Sequence, residues 1–261
     1  MKIGAKQMMM AGTWVLLSGS MMMTSCVRNI SSFSFDEGEN VKEVRDLQGF
    51  EKIEINGSPT VYYTQEKSFL VSVEGPKNVI SEILTEKQGD ALVIRNRGKL
   101  GVFNVSFGDD VSVHVSSPDL VGISLNGSGN FISNKRIDTD KISVTLRGSG
   151  DVKIDDLLCD RCDAELIGSG DMTISRLEAQ DCSAVLVGSG DLVMNLYHVN
   201  DTWLSLKGSG DIDASFNQNC LRAECDLNGS GDISLSGKLR KFSHQKRGSG
   251  DVNTSKLLVE K

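Results

Sequence analysis

The chain has 261 residues, and its 28 Lys and Arg side chains are outnumbered by 35 Asp and Glu, which gives a formal net charge of −7. This acidic balance disfavours nucleic-acid binding, because phosphate backbones are recognised by basic surfaces. The 27 glycines are more informative, since many of them recur at a nearly fixed interval.

The first 25 residues are predicted to be an export signal. Lys2 and Lys6 precede an apolar run from Met8 to Met23, and no acidic residue occurs before Asp36. The run is too short and too interrupted by small residues to make a good membrane span.

The segment Met23-Thr24-Ser25-Cys26 resembles a bacterial lipoprotein processing site, in which a lipidated cysteine becomes the N-terminus. Cys26 is therefore the predicted lipidation site. The chain is expected to be exported and held by lipid alone at an outer-membrane, periplasmic or cell-surface face. The alternative is an ordinary secretory signal followed by an incidental cysteine. Residues 26–44 are polar, as is typical of a lipidated N-terminus followed by a flexible tether.

Residues 45–120 contain short strand-like runs without a strict period. The runs are 52–55, 61–63, 69–73, 91–94 and 111–115. A short helix is predicted over 78–87, where Val79, Ile80, Ile83 and Leu84 share a helical face. We expect an irregular first part of the same β structure, and a separate small β domain is the alternative.

A Gly-Ser-Gly turn recurs from residue 127 onward, followed by Asn130 in the first copy and by Asp in the others. The first glycines are residues 127, 148, 168, 188, 208, 229 and 248, with spacings of 21, 20, 20, 20, 21 and 19 residues. A near-constant period of this size indicates a solenoid.

Apolar and polar residues alternate on both sides of each turn, which indicates strands. Two residues before the first glycine stand Leu125, Leu146, Leu166, Leu186, Leu206 and Leu227, an inward-facing stripe. The predicted fold is an all-β, single-stranded parallel β-helix, a solenoid with coils of about 20 residues and an irregular N-terminal β section. The irregular part is 45–120 and the regular coils are 121–258.

The same parity directs both glycines of each turn inward at a crowded corner, and the serine and aspartate outward. The outward aspartates form a carboxylate ladder: Asp151, Asp171, Asp191, Asp211, Asp232 and Asp251. Neighbours about 4.8 Å apart repel by about 0.9 kcal/mol in bulk water, and hydrogen bonds to turn N–H groups or solvation are expected to offset this. Calcium is the alternative, although one turn per coil lacks the second loop that encloses each ion in calcium-binding β-rolls. We therefore predict no metal site.

The six cysteines invite a disulfide or metal interpretation in an exported protein. Cys159 and Cys162 have the spacing of a metal knuckle, but no second such pair follows. Cys162, Cys182 and Cys225 fall at inward positions, where they are expected to behave as small buried hydrophobes. A disulfide between Cys162 and Cys182 in adjacent coils is the alternative.

The repeats from 127 to 251 and the upstream segment Phe50-Glu51-Lys52-Ile53-Glu54-Ile55-Asn56-Gly57-Ser58 resemble the head GIN domain family of autotransporter adhesins. The resemblance covers about residues 45–258. It implies an exported bacterial protein whose head domain is a parallel β-helix with tandem GSGD-type turns. It also implies an adhesive role.

Enzymatic function is disfavoured, although parallel β-helices include polysaccharide lyases and hydrolases. Their clefts are built by long inserted loops, whereas these coils differ by only a residue or so. We predict no catalytic residue and no cofactor. The expected function is cell-surface adhesion or protein interaction, with an envelope protein or another copy of the chain as partner. A polysaccharide-binding module of the cell envelope is the alternative, and a lyase-like enzyme is a weaker one.

One group of outward positions is apolar rather than polar. Its members are Ile167, Val185, Val187 and Trp203, on three consecutive coils. Because adjacent coils are about 4.8 Å apart, these side chains can form one patch that serves as a partner interface. The alternative is that a terminal segment or the irregular N-terminal part covers it.

Overall fold

The structure is a computed structural model that describes residues 39–98 and 111–260. The predicted export signal and the lipidation site Cys26 lie outside the described residues. Regular structure in the described part is almost entirely β-strand, which confirms the all-β prediction. No helix in this part is long and apolar enough to cross a membrane.

The N-terminal section contains seven strands and one short helix. They are β1 (Asn40–Arg45), β2 (Lys52–Gly57), β3 (Thr60–Gln65), β4 (Leu70–Pro76), α1 (Lys77–Ile80), β5 (Ile83–Gln88), β6 (Ala91–Asn96) and β7 (Ser112–Ser117). Each of the five predicted strand-like runs overlaps one of these strands. The predicted helix over 78–87 is wrong beyond its first turn, because Ile83–Gln88 instead pairs antiparallel with β6.

Each regular coil contributes one strand before its glycine turn and one after it. The strands are β8 (Gly122–Gly127), β9 (Asn130–Asp138), β10 (Lys141–Gly148), β11 (Asp151–Leu158), β12 (Arg161–Gly168), β13 (Asp171–Glu178), β14 (Asp181–Gly188), β15 (Asp191–Tyr197), β16 (Asp201–Gly208), β17 (Asp211–Phe216), β18 (Arg222–Gly229), β19 (Ile233–Leu239), β20 (Lys241–Gly248) and β21 (Val252–Val259). The strands before the turns form sheet 1 and those after them form sheet 2. The predicted parallel solenoid is confirmed.

Successive coils are stacked in register. In sheet 1, Gly148 pairs with Gly168, and Gly168 pairs with Gly188, all between parallel strands. The glycine spacing in the sequence is therefore the length of one coil.

The core lies between the two sheets and follows the predicted parity. The leucine stripe from Leu125 to Leu227 is fully buried, and across the core from it so are Ile154 and Ile174 of sheet 2. The inward parity of sheet 2 then shifts, since Ile154 and Leu157 are both buried although three residues apart. The next coil repeats this spacing, because Ile174 and Leu177 are also buried and pair in register with Ile154 and Leu157. One extra residue between the two inward positions, as in a β-bulge, reverses the alternation.

In the described part, the strands of the N-terminal section extend the same two sheets. In sheet 1, β2 pairs in parallel with β8, and Gly57 is in register with Gly127. In sheet 2, β3 pairs with β9, while β4 and β1 add antiparallel strands beyond β7. Residues 40–44, assigned to the tether from the sequence, therefore belong to the folded unit, since β1 hydrogen-bonds to β4.

The turn glycines were predicted to point inward at a crowded corner, but the structure gives a different reason why glycine is needed there. A Cβ atom on Gly188 would overlap the backbone carbonyl oxygen of Gly168 in the preceding coil, and one on Gly190 would overlap that of Gly170. Gly188 also has a φ of +141°, which side chains rarely tolerate. The crowding thus comes from the adjacent coil, along the stacking direction.

Candidate interaction surface

The outer face of sheet 1 displays its side chains in straight rows, because equivalent residues of successive coils are in register. Neighbours within a row are about 4.8 Å apart, and adjacent rows are separated by about 6.6 Å. Side chains from distant parts of the sequence therefore meet at predictable places on this face.

The four predicted interface residues all lie on this outer face. Ile167 pairs with Val187 on the next strand, and Val185 lies two residues before Val187. These three aliphatic side chains are half-buried, whereas Trp203 is 42% exposed. Val185 pairs with Ser205 and Trp203 pairs with Ser183, so the indole lies diagonally from Val185.

Ser205 is a feature of this face that sequence reasoning missed. It occupies an outward position between Trp203 and Lys207, yet it is fully buried, and its hydroxyl has no hydrogen-bond partner in the structure. A small side chain among larger neighbours lies below the level of the face. The sequence did offer a signal for this burial, because Ser205 lies two residues after Trp203 and pairs with Val185, both of which have larger side chains.

A groove of about 610 Å³ runs beside the indole. Trp203 belongs to a row that contains Ser183, Glu224 and Ser243. The adjacent row, at the start of each strand, consists of Arg161, Asp181, Asp201, Arg222 and Lys241. The groove thus combines one aromatic ring with many hydrogen-bonding groups.

Two ion pairs fix parts of this groove. Arg222 donates from Nε to Oδ1 of Asp201 and from a terminal nitrogen to Oδ2, both at 2.6 Å. Arg161 holds the Asp163 carboxylate with an Nε–Oδ2 distance of 2.9 Å. In the part of the chain that the structure describes, the carboxylates of Asp181 and Glu224 have no such salt bridge within 4 Å. They are available to accept hydrogen bonds from a ligand.

Comparisons with known proteins assign the chain to a family. A family model described as "putative auto-transporter adhesin, head GIN domain" matches residues 49–220 and 183–261, which is well over half of the chain. The chain belongs to the head GIN domain family. No curated protein matches it.

Solved structures similar to this head GIN domain share its fold. A crystal structure described as a putative adhesin from Bacteroides fragilis has a TM-score of 0.74 at 24% identity, covering 82% of this chain and 96% of that one. A second crystal structure, also described as a putative adhesin, comes from Parabacteroides distasonis. It has a TM-score of 0.63 at 20% identity and covers 83% of this chain and 98% of that one. Another from the same organism, described as a putative lipid binding protein, has a TM-score of 0.61 at 19% identity, covering 82% and 96%.

The aspartate ladder of the head GIN domain is held by hydrogen bonds between coils. The backbone N–H of Asp171 donates to Oδ1 of Asp151 at 3.2 Å, and that of Asp191 donates to Oδ1 of Asp171 at 3.1 Å. The same bond joins Asp232 to Asp211 at 2.8 Å. These are the side-chain bonds to turn N–H groups that the sequence suggested. No group of three His, Cys, Asp or Glu residues suited to a metal ion occurs within 39–98 and 111–260.

Five cysteines of the head GIN domain are buried free thiols: Cys159, Cys162, Cys182, Cys220 and Cys225. Cys162 and Cys182 are register partners on adjacent strands. Burial raises the pKa of Cys225 to about 12, with a smaller contribution from the Glu224 carboxylate. The pKa of Cys159 is also raised, mainly by a hydrogen bond with Cys162 and secondly by burial.

These thiols are expected to be unreactive in the folded protein. All five are buried, which keeps the reagent away from the sulfur atoms. Only a thiolate is an effective nucleophile, and the raised pKa values of Cys159, Cys162, Cys220 and Cys225 lower their thiolate fraction further. Residues 27–261 treated with iodoacetamide at pH 8 should remain unmodified, and five alkylated cysteines should appear after denaturation in guanidinium. Mass spectrometry gives the count, and fewer than five under denaturing conditions would demonstrate a disulfide.

None of the three histidines lines the groove. His114 stacks on Tyr62, His244 stacks on Phe242, and Nδ1 of His198 lies 3.3 Å from Oε1 of Glu178. His114 lies close to Ser112 and Glu74, but both approach the same ring nitrogen, Nε2, at 3.2 Å and 3.8 Å. A catalytic triad instead uses one ring nitrogen for the serine and the other for the carboxylate.

Proposed function

We propose that the chain is a non-enzymatic exported lipoprotein that acts in cell-surface adhesion or protein interaction through the outer face of sheet 1. The observation that carries this proposal is the apolar patch formed by Ile167, Val185, Val187 and Trp203, on a face whose other outward residues are mostly polar. Membership of a family described as adhesins supports the same function.

The patch has the features of a contact surface. Contiguous apolar side chains rimmed by polar ones are typical of interaction sites when the patch is large. Arg147 and Lys207 lie in the same row as Ile167 and Val187, on the flanking strands, and give this patch a charged rim. The described N-terminal strands extend sheet 1 beyond β8, and they leave the Trp203 indole exposed.

The regularity of the coils supports the proposal that the chain is not an enzyme. The turns on the glycine side have the same four-residue form in each coil, so β12, β14 and β16 are connected to sheet 2 without an inserted loop. Expelling water from a substrate needs walls that close around it, and these short turns supply none on the glycine side.

Replacing Val187 by lysine is expected to weaken partner binding or self-association while the fold is kept. The side chain points outward, so the change places a charge in the contact without altering the core. Sedimentation equilibrium and binding to isolated cell envelopes measure the effect, and we expect at least about a tenfold loss of affinity.

Val193→Lys is the matched control, because Val193 is a half-buried outward valine on sheet 2 of the same coil. It should leave association unchanged. If Val187→Lys unfolds the protein, or if both variants associate like the wild type, the patch is not the interface.

Lipidation of Cys26 is the second expected result. Mass spectrometry of the mature protein should find an acylated Cys26 as its first residue, and Cys26→Ser should release the protein from the membrane fraction, since no other anchor is proposed. An unmodified N-terminus at another position would refute the lipoprotein part of the proposal.

A further inference from the structure

The groove beside Trp203 has a chemistry distinct from that of the aliphatic side chains of the patch. Val187 and Trp203 are two rows and one strand apart, or about 14 Å in a regular sheet. Ile167, Val185 and Val187 offer only hydrocarbon, whereas the groove offers an indole ring and a border of polar groups. A ligand can therefore occupy the groove without touching Val187.

The indole provides a flat apolar platform. It is 42% exposed although it stands on a regular strand of the sheet, where its neighbours in the same row are Ser183 and Glu224. Because both neighbours have smaller side chains, no other large ring competes for the space above it. A ligand with a flat, C–H-rich face can stack on this ring, since the faces of aromatic rings carry negative charge and attract polarised hydrogens.

The border of the groove provides both acceptors and donors. Asp181 and Glu224 present carboxylates without a salt bridge in the described residues, and the Ser183 and Ser243 side chains add hydroxyl groups. Arg222, held in place by Asp201 at 2.6 Å, presents a pre-positioned donor. Such a set suits a ligand that carries several hydroxyl groups around an apolar face, because each hydroxyl both donates and accepts.

The charges of the groove balance. Arg161, Arg222 and Lys241 are matched by Asp181, Asp201 and Glu224, so the groove attracts neither anions nor cations strongly. A volume of about 610 Å³ falls within the range of small-molecule sites, about 300–1,000 Å³. A protein side chain would leave most of these polar groups unsatisfied, at a cost in free energy.

We propose that this groove binds a pyranose unit of an uncharged polysaccharide, with the sugar ring stacked on Trp203 and its hydroxyls bonded to Asp181, Ser183 and Glu224. This site does not depend on the proposed protein contact, although Trp203 borders both. The chain would then have two separable binding activities on one face.

The sequence supplies a direct probe. The chain has two tryptophans, and the other, Trp14, lies in the predicted export signal. In residues 26–261 carrying Cys26→Ser, all tryptophan fluorescence therefore comes from Trp203. Titration with maltohexaose, cellohexaose and mannohexaose should change the emission of this residue saturably for at least one of them. Hexagalacturonate, which is charged, should bind more weakly.

Variants separate the sugar site from the protein contact. Glu224→Gln and Ser183→Ala should weaken binding of the active hexasaccharide in the fluorescence titration. Trp203→Ala should weaken it by at least about tenfold in calorimetry, with a melting temperature near that of the wild type. Val187→Lys should bind the sugar normally even where it loses association.

The proposal is overturned if none of the three neutral hexasaccharides changes the emission, or if Trp203→Ala and Glu224→Gln both bind like the wild type. It is also overturned if Trp203→Ala abolishes association with protein while no sugar binds, because the indole would then belong to the protein contact alone. Should Trp203→Ala fail to fold, Glu224→Gln and Ser183→Ala decide the question.

Discussion

Gly188→Val should prevent the coils from stacking and lower the free energy of unfolding by more than about 4 kcal/mol, one of the largest effects available to a single substitution. Two causes add. The new Cβ would overlap the carbonyl oxygen of Gly168, and the φ of +141° is rarely adopted by a residue with a side chain. Neither cause can be relieved by rotating a side chain, because both involve backbone atoms.

Urea denaturation followed by circular dichroism measures this effect. Ser189→Ala is the matched control in the same turn, since Ser189 is exposed, and it should change stability by less than about 0.5 kcal/mol. A Gly188→Val protein as stable as the Ser189→Ala protein would show that the stacked geometry of the turn is wrong.

Leu186→Ala is expected to destabilise the protein by about 2–5 kcal/mol, as truncation of a buried leucine does when the cavity cannot collapse. Leu186 is fully buried, and its register partners Leu166 and Leu206 are also fully buried. The backbone of both neighbouring coils is fixed by sheet hydrogen bonds, so little collapse is possible.

The control for this truncation is Val185→Ala, one residue earlier on the same strand but on the outer face. Its half-buried side chain should cost less than about 1.5 kcal/mol when shortened. Thermal and urea unfolding of both variants measure the difference. Equal losses for the two variants would mean that the inward and outward faces of β14 are misassigned.

The regular coils could be predicted from the sequence because two signals agree in them. Alternation assigns an inward face to each strand, and the glycine spacing gives the length of one coil, so the register follows. The first part of the chain offers only short apolar runs, which fit a helix or a strand equally well. At Ile83 and Leu84 the decision came from hairpin pairing with β6 across the two-residue turn Gly89-Asp90. That glycine-aspartate turn was a local signal for a hairpin.

The same distinction applies to the candidate surface. The places of Ile167, Val185, Val187 and Trp203 on the outer face follow from parity alone. The burial of Ser205 and the groove lined by Arg222 and Asp201 depend on how side chains from several coils fill the space between rows. The direction of the turn glycines was missed because the crowding atoms belong to the preceding coil.

The strands of sheet 2 and the turns that follow them absorb the differences in coil length, since the register shifts lie within sheet 2. Gly208 is in register with Gly229 across a 21-residue coil, and Gly229 with Gly248 across a 19-residue coil, while Asp211 and Asp232 stay joined by a hydrogen bond. The glycine edge of the solenoid therefore keeps a constant geometry from coil to coil, while the rest of each coil accommodates extra or missing residues. Whole coils can be gained or lost by duplication and deletion of gene segments. A duplicated or deleted segment that is one residue too long or too short would be accommodated away from the glycine turns.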